Sequence, residues 1–273
     1  MLRAGALVQG ALLPAEIPTL YRVNDHVVFG YKEFRLTTRE CLRSIVHANN
    51  ETVNVWTSFL IVLHSCAWTS AILTLRTPSP SFRVVLLAST LCRCACWLLS
   101  ALAHAFSTHE SADIVGLVWR LDYVGIYICI MGMCNAGTYV ELAPVFPGWV
   151  WKSCIAVGTT GCGLSALYIL QKGDAFHLES YRAWRTAPFA AAVSVYLVPY
   201  LYKLAVHGPD PYTPWLCATI CAPLVGAAFF VPLWPEKHVR TPWVHTWCLS
   251  HHLWHWANVL GDVFYHYALW KAA

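Results

Sequence analysis

Charge is the scarcest property of this 273-residue sequence. Asp, Glu, Lys and Arg make up 12% of it, against about 25% in a soluble domain, while 58% is hydrophobic. That balance excludes an ordinary water-soluble domain and puts most of the chain in lipid. The net charge of +4 is modest, so no nucleic-acid partner is expected. Repeats, low-complexity tracts and any Cys-x-x-Cys pair are also missing. The 12 cysteines lie mostly inside apolar runs, such as Cys92, Cys94 and Cys96, or Cys217 and Cys221. They read as small buried hydrophobes, which argues against a disulfide framework. Near the start, RAGALVQGALLPA imitates a signal peptide, but its apolar core is poor and broken by Gln9.

What is present is a series of apolar segments, at about 53–75, 84–106, 121–140, 150–170, 186–206, 214–234 and 246–269. Short loops rich in Pro, Gly and charge separate them, among them TPSPSFR, HGPDPYTP and PEKHVRTP. Their length and charge depletion predict helices rather than barrel strands. The expected fold is an all-α membrane protein. Residues 53–273 form a seven-transmembrane helix bundle, and residues 1–52 precede it as a cytosolic segment. Arg3, Arg22, Lys32, Arg35, Arg39, Arg43, Arg120, Lys172, Arg182, Arg185, Lys237 and Arg240 fall on the side of the N-terminus, against Arg76, Arg83, Lys152, Lys203 and Lys271 on the other. That asymmetry puts the N-terminus in the cytosol and the C-terminus outside. Pro188, Pro199, Pro223 and Pro232 are expected to bend the fifth and sixth segments and open space for a lipid. Gly158, Gly161 and Gly163 predict close helix packing in the fourth.

The chemistry lies in three segments. His251 and His255 are one helical turn apart in SHHLWH and share one stripe. His104 ends the second segment, with Ser100 one turn before it, and Asp122 opens the third. On this topology all five fall at the cytosolic ends of their segments. Three imidazoles with one open position make a zinc site of the catalytic type, its fourth place left to water. Asp122 then accepts or orients that water's proton, and Ser100 hydrogen-bonds the water or a substrate oxygen. The matching chemistry is amide or ester hydrolysis in a lipid reached from the bilayer. A lone histidine in a helix is more often a packing residue. Buried ionisable groups in a membrane, however, are costly unless they have a role. His252 leaves the stripe and is expected to face a neighbour or lipid headgroups and to matter little. His64 and His47 read as helix-face or interfacial residues. Arg93 and Asp262 either pair or line a polar cavity with His266. Asn50 heads a glycosylation sequon that this topology leaves unmodified.

These motifs resemble the progestin and adipoQ receptor (PAQR) family, which includes the adiponectin receptors and the membrane progestin receptors. The likeness runs from about residue 30 to 260. It rests on Gly30-Tyr31, on NNETVNVWTSF with Glu51, Asn54 and Trp56, on Ser100 and His104 as SxxxH, on Asp122 in LDYVGI, on PEKH, and on SHHLWH. Ser58 stands where many members have histidine, and His252 replaces their usual glutamine. The resemblance implies seven helices, a cytosolic N-terminus, and zinc held by His104, His251 and His255. It implies a receptor for a hormone, steroid or lipid ligand in the plasma membrane, the Golgi or the endoplasmic reticulum. Alkaline ceramidases share the SxxxH, Asp and HxxxH arrangement, which implies ceramidase-like hydrolysis with Ser100 and Asp122 as catalytic residues. The alternative is a receptor or scaffold in which zinc is structural and the N-terminal segment meets a cytosolic partner.

Overall fold

A computed structural model of the chain describes residues 12, 16–22, 24–76, 78–172 and 182–273. The stretch around Gln9, most of the loop 171–185 and the side chains of Lys172, Arg182, Arg185 and Pro188 lie outside the described residues. The helices are α1 (Thr38–Ser44), α2 (Thr52–Leu75), α3 (Pro80–Phe106), α4 (Ala112–Leu142), α5 (Gly148–Lys172), α6 (Arg182–His207), α7 (Thr213–Phe230), α8 (Pro242–Trp247) and α9 (Ser250–Ala272). No strand forms among the described residues; Leu36 and His109 make one isolated parallel bridge.

Among the described residues α2, α3, α4, α5 and α7 are long and apolar enough to cross a bilayer. The molecule is therefore an all-helical integral membrane protein. α9 is of comparable length, but His251, His252, His255, Asp262 and His266 reduce its apolar character.

Helix starts follow from local capping. Thr37, Ser79, Ser111 and Thr241 each accept a backbone N–H at the head of α1, α3, α4 and α8, and Pro80 and Pro242 stand in the first turns of α3 and α8. Two boundaries differ from the sequence expectation. α4 begins at Ala112, well before about 121, because the Ser111 cap and Asp113 start it in a polar stretch that apolarity alone does not detect. The last segment is split: Thr241-Pro242 begins α8, and Leu249 in extended conformation separates it from α9.

Glycines set the closest approaches. A Cβ at Gly125 would meet the Cys96 Cα at 3.1 Å, and one at Gly132 would overlap the Cys92 side chain, so α3 and α4 pack backbone to backbone. On the other side, a Cβ at Gly226 of α7 would meet the Ala257 Cβ at 2.9 Å and the Trp254 Cα at 3.1 Å, so α7 packs closely on α9. Of Gly158, Gly161 and Gly163 in α5 only Gly158 makes a close approach, against the Tyr196 ring of α6; Gly161 and Gly163 face open space. Pro223 lies inside α7, while Pro232 follows that helix's end. Between α4, α6, α7 and α9 lies a mostly apolar cavity of about 90 Å³, lined by residues that include Gly137, Tyr196, Leu216 and Tyr265.

The N-terminal segment is stitched across the histidine end of the bundle. Leu36 N–H donates to Thr108 O, Asn50 N–H to Gly30 O, and Val28 N–H to His245 Nδ1. Gly30 sits at φ 78°, a conformation that glycine adopts freely, and a Cβ there would meet the Thr246 hydroxyl at 2.8 Å.

Candidate metal centre

α3 ends and α9 begins at the same end of the bundle, and that antiparallel arrangement brings the three expected imidazoles together. His104 Nε2 and His251 Nε2 are 3.4 Å apart. The His251 and His255 ring centroids are 4.9 Å apart, and each lies 5.2 Å from His104. One ligand nitrogen from each lies within 4.8 Å of the others. Tetrahedral zinc with Zn–N bonds of about 2.0–2.1 Å sets its N···N edges at about 3.3–3.4 Å. The His104–His251 spacing fits two ligands sharing one such ion.

His104 and His255 are buried and His251 is half-buried. Trp119 stands edge-on to His104 and Trp97 edge-on to His255, at 5.2 and 5.5 Å. Phe230 of α7 lies 5.3 Å from His251. The aromatic walls leave His251 as the exposed side of the cluster.

Asp122 is buried and hydrogen-bonded to Ser100. The Gly125–Cys96 approach explains this contact. Asp122 precedes Gly125 by about one turn of α4, and Ser100 follows Cys96 by one turn of α3, so the antiparallel pair puts them at one level.

Three further residues reach the histidines: Glu51, which with Asn54 the sequence suggests ties the first helix to the ends of its neighbours, and Thr57 and Lys32, to which it gives no role. His104 Nδ1 bonds the Glu51 carboxylate at 2.7 Å. His255 Nδ1 bonds Thr57 Oγ1 at 2.9 Å. Lys32 Nζ donates to the His104 and Ala105 carbonyls at 3.0 and 2.7 Å, capping the C-terminal end of α3. Burial alone would raise the Glu51 pKa, but His104 and Lys32 hold it down at about 2. Burial lowers Lys32 to about 8 against the opposing pull of Glu51. Glu51 carried a signal, as an acid inside the NNETVNVWTSF motif. Lys32 carried none.

Other expectations are corrected here. Of the two settings expected for His252 it takes the neighbour and not the headgroups: it is fully buried, accepts from Leu249 N–H and donates from Nε2 to Asn50 O at 2.8 Å. Asn50 is itself buried. His64 is not a simple helix-face residue. It bonds Asp262, which also pairs with Arg93 and accepts from Ser65 at 3.1 Å, with His266 Nδ1 3.3 Å away. This second cluster sits halfway along α2, α3 and α9. The carboxylate there is enclosed by hydrogen-bond donors and a guanidinium. In both clusters one ligand atom from each of three side chains lies within 4.8 Å of the others, but in this one the carboxylate is already paired with Arg93.

A sequence profile described as Haemolysin-III related matches residues 46–267. The chain belongs to the haemolysin-III related family. Its relatives include progestin and adipoQ receptor proteins and membrane progestin receptors. Progestin and adipoQ receptor family member 3 of Mus musculus is 22% identical over 261 residues, covering 92% of this chain and 82% of the relative. Membrane progestin receptor alpha of Sus scrofa is 27% identical over 246 residues, with 82% and 65% covered. Heptahelical transmembrane protein 1 of Arabidopsis thaliana is 26% identical over 275 residues, with 93% and 78% covered. The matched region of the haemolysin-III family holds Glu51, Thr57, Ser100, His104, Asp122, His251 and His255.

Proposed function

We propose that this chain is a zinc-binding receptor of the progestin and adipoQ type that also hydrolyses an amide in a ceramide-like lipid. The observation that carries this reading is the 3.4 Å spacing of His104 and His251 Nε2, with His255 beside them and the Asp122–Ser100 pair at the same end of the bundle. In this reading His104, His251 and His255 hold the ion. Zinc held there supplies Lewis acidity and makes water a stronger acid. Asp122 takes the proton from water, and Ser100 holds the Asp122 carboxylate and orients a substrate oxygen. The half-buried His251 marks the side from which a lipid enters, and Trp97 and Trp119 keep bulk water from the other sides.

The membrane topology belongs to the same proposal. α2–α7 and α9 make seven spans, the count that the printed name of the Arabidopsis relative carries. Residues 1–52 then form the cytosolic segment and 53–273 the bundle. The ligand class is a hormone, steroid or lipid, and the membrane is the plasma membrane, the Golgi or the endoplasmic reticulum.

Metal analysis of protein purified without chelators tests the site, and stoichiometric zinc is the expected result. Its absence from the folded chain overturns both the site and the chemistry. A second reading keeps zinc as a clamp in a non-enzymatic receptor or scaffold. The direct Asp122–Ser100 bond favours it, since each group already has a partner. Asp122→Ala and Ser100→Ala separate the two readings. Retained zinc with lost ceramide turnover supports hydrolysis, and unchanged turnover in both variants supports the clamp.

A further inference from the structure

The stretch from Asn50 to Thr57 touches imidazoles on two helices. Asn50 O receives His252 Nε2 of α9 at 2.8 Å. Glu51 Oε2 receives His104 Nδ1 of α3 at 2.7 Å and Asn54 Nδ2 at 2.9 Å. Thr57 Oγ1 meets His255 Nδ1 of α9 at 2.9 Å. The Thr57 hydroxyl also has the Val53 carbonyl at 2.6 Å. A carbonyl only accepts, so the hydroxyl hydrogen goes there and its oxygen is left to accept from the imidazole. A carboxylate likewise only accepts. His104 and His255 therefore both carry hydrogen on Nδ1, and in the neutral form that binds a metal both offer the Nε2 lone pair to the space they share with His251.

We propose that Glu51 and Thr57 are positioning residues of the metal centre: they lock His104 and His255 in the tautomer and ring orientation that bind the ion through Nε2. The inference rests on the zinc reading above and assigns the start of α2 its part in it. A carboxylate behind a ligating imidazole raises its donor strength, and a fixed ring spares the ion the cost of ordering it. Lys32 completes the arrangement as the buried counter-charge of Glu51. A purely structural role, tying α2 to its neighbours, would leave metal affinity and ligand field unchanged.

The test uses the full chain in detergent, with zinc affinity from chelator competition and the visible spectrum of the cobalt(II)-substituted protein. Glu51→Gln combined with Lys32→Met leaves no lone buried charge. We expect it to weaken zinc binding about 10- to 100-fold and to shift the cobalt bands. Thr57→Val should weaken binding in the same direction, and Thr57→Ser, which keeps the hydroxyl, should restore it. If wild type binds metal and these variants match it in affinity and spectrum, the positioning role is wrong and the zinc site stands. If wild type binds no metal, the zinc reading itself falls. Should the double variant fail to fold, the Thr57 pair decides: equal affinity and bands for Val and Ser overturn the inference.

Discussion

Arg93 and Asp262 form a direct ion pair halfway along α3 and α9, with side chains 3% and 1% exposed. The sequence left pairing and cavity lining equally open for these two residues, and the structure favours pairing. Removing one partner strands a charge in a medium that cannot solvate it, and costs on the order of 3–5 kcal/mol. Arg93→Met or Asp262→Leu alone should abolish or sharply reduce the yield of folded protein. The double variant should recover most of it, measured as monodisperse protein and thermal midpoint. A double variant no better than the singles would mean that the pair is not a closed unit.

The two neighbouring histidines of α9 should fail differently. His255→Ala removes a ligand nitrogen, so zinc content and thermal stability should fall together. The sequence alone predicts little effect at His252. Because it is buried between Asn50 O and Leu249 N–H, His252→Ala should lower the thermal midpoint by several degrees with zinc stoichiometry kept. Equal zinc loss in both would place the ligand stripe wrongly.

Lys32 gives the protein an alkaline signature. Its folded pKa of about 8 lies below the ordinary 10.5, because burial disfavours the ammonium. Between those two values the unfolded chain binds the extra proton, so the Lys32 contribution to stability rises with pH across that window and is flat below it. Subtracting the Lys32→Met pH–stability profile from that of wild type should isolate this rise. A difference that falls from pH 8 to 10 would refute the assignment.

The glycines of the bundle should sort by what they touch. Gly125→Ala pushes a methyl against the Cys96 backbone and should separate α3 from α4, costing about 1–3 kcal/mol and weakening the Asp122–Ser100 contact. Gly161→Ala meets nothing and should be neutral or slightly stabilising. Thermal midpoints of the two variants check the ordering.

Much of this was legible in the sequence. Apolar runs located the five helices long and apolar enough to span a bilayer, and the motifs singled out His104, His251 and His255, which the structure brings to one end. What escaped had physical reasons. The polar first turns of α4 are marked by a cap at Ser111 rather than by hydropathy. Lys32 reaches α3 from a segment with no helical period, and its carbonyl partners carry no side-chain signal. His64 lies halfway along α2, far in sequence from Asp262, so no local pattern joins them. Gly161 and Gly163 look like Gly158 in sequence, and only the three-dimensional neighbour distinguishes them.

The glycine contacts also divide the site mechanically. Gly125 and Gly132 fuse α3 and α4 into one jaw, which carries His104, Ser100 and Asp122. Gly226 fuses α7 and α9 into the other, which carries His251 and His255. The two jaws meet through side chains of α3 and α9, at His104–His251, Arg93–Asp262 and Ser89–Tyr265. An ion shared by imidazoles from both jaws would add a rivet at one end of that line.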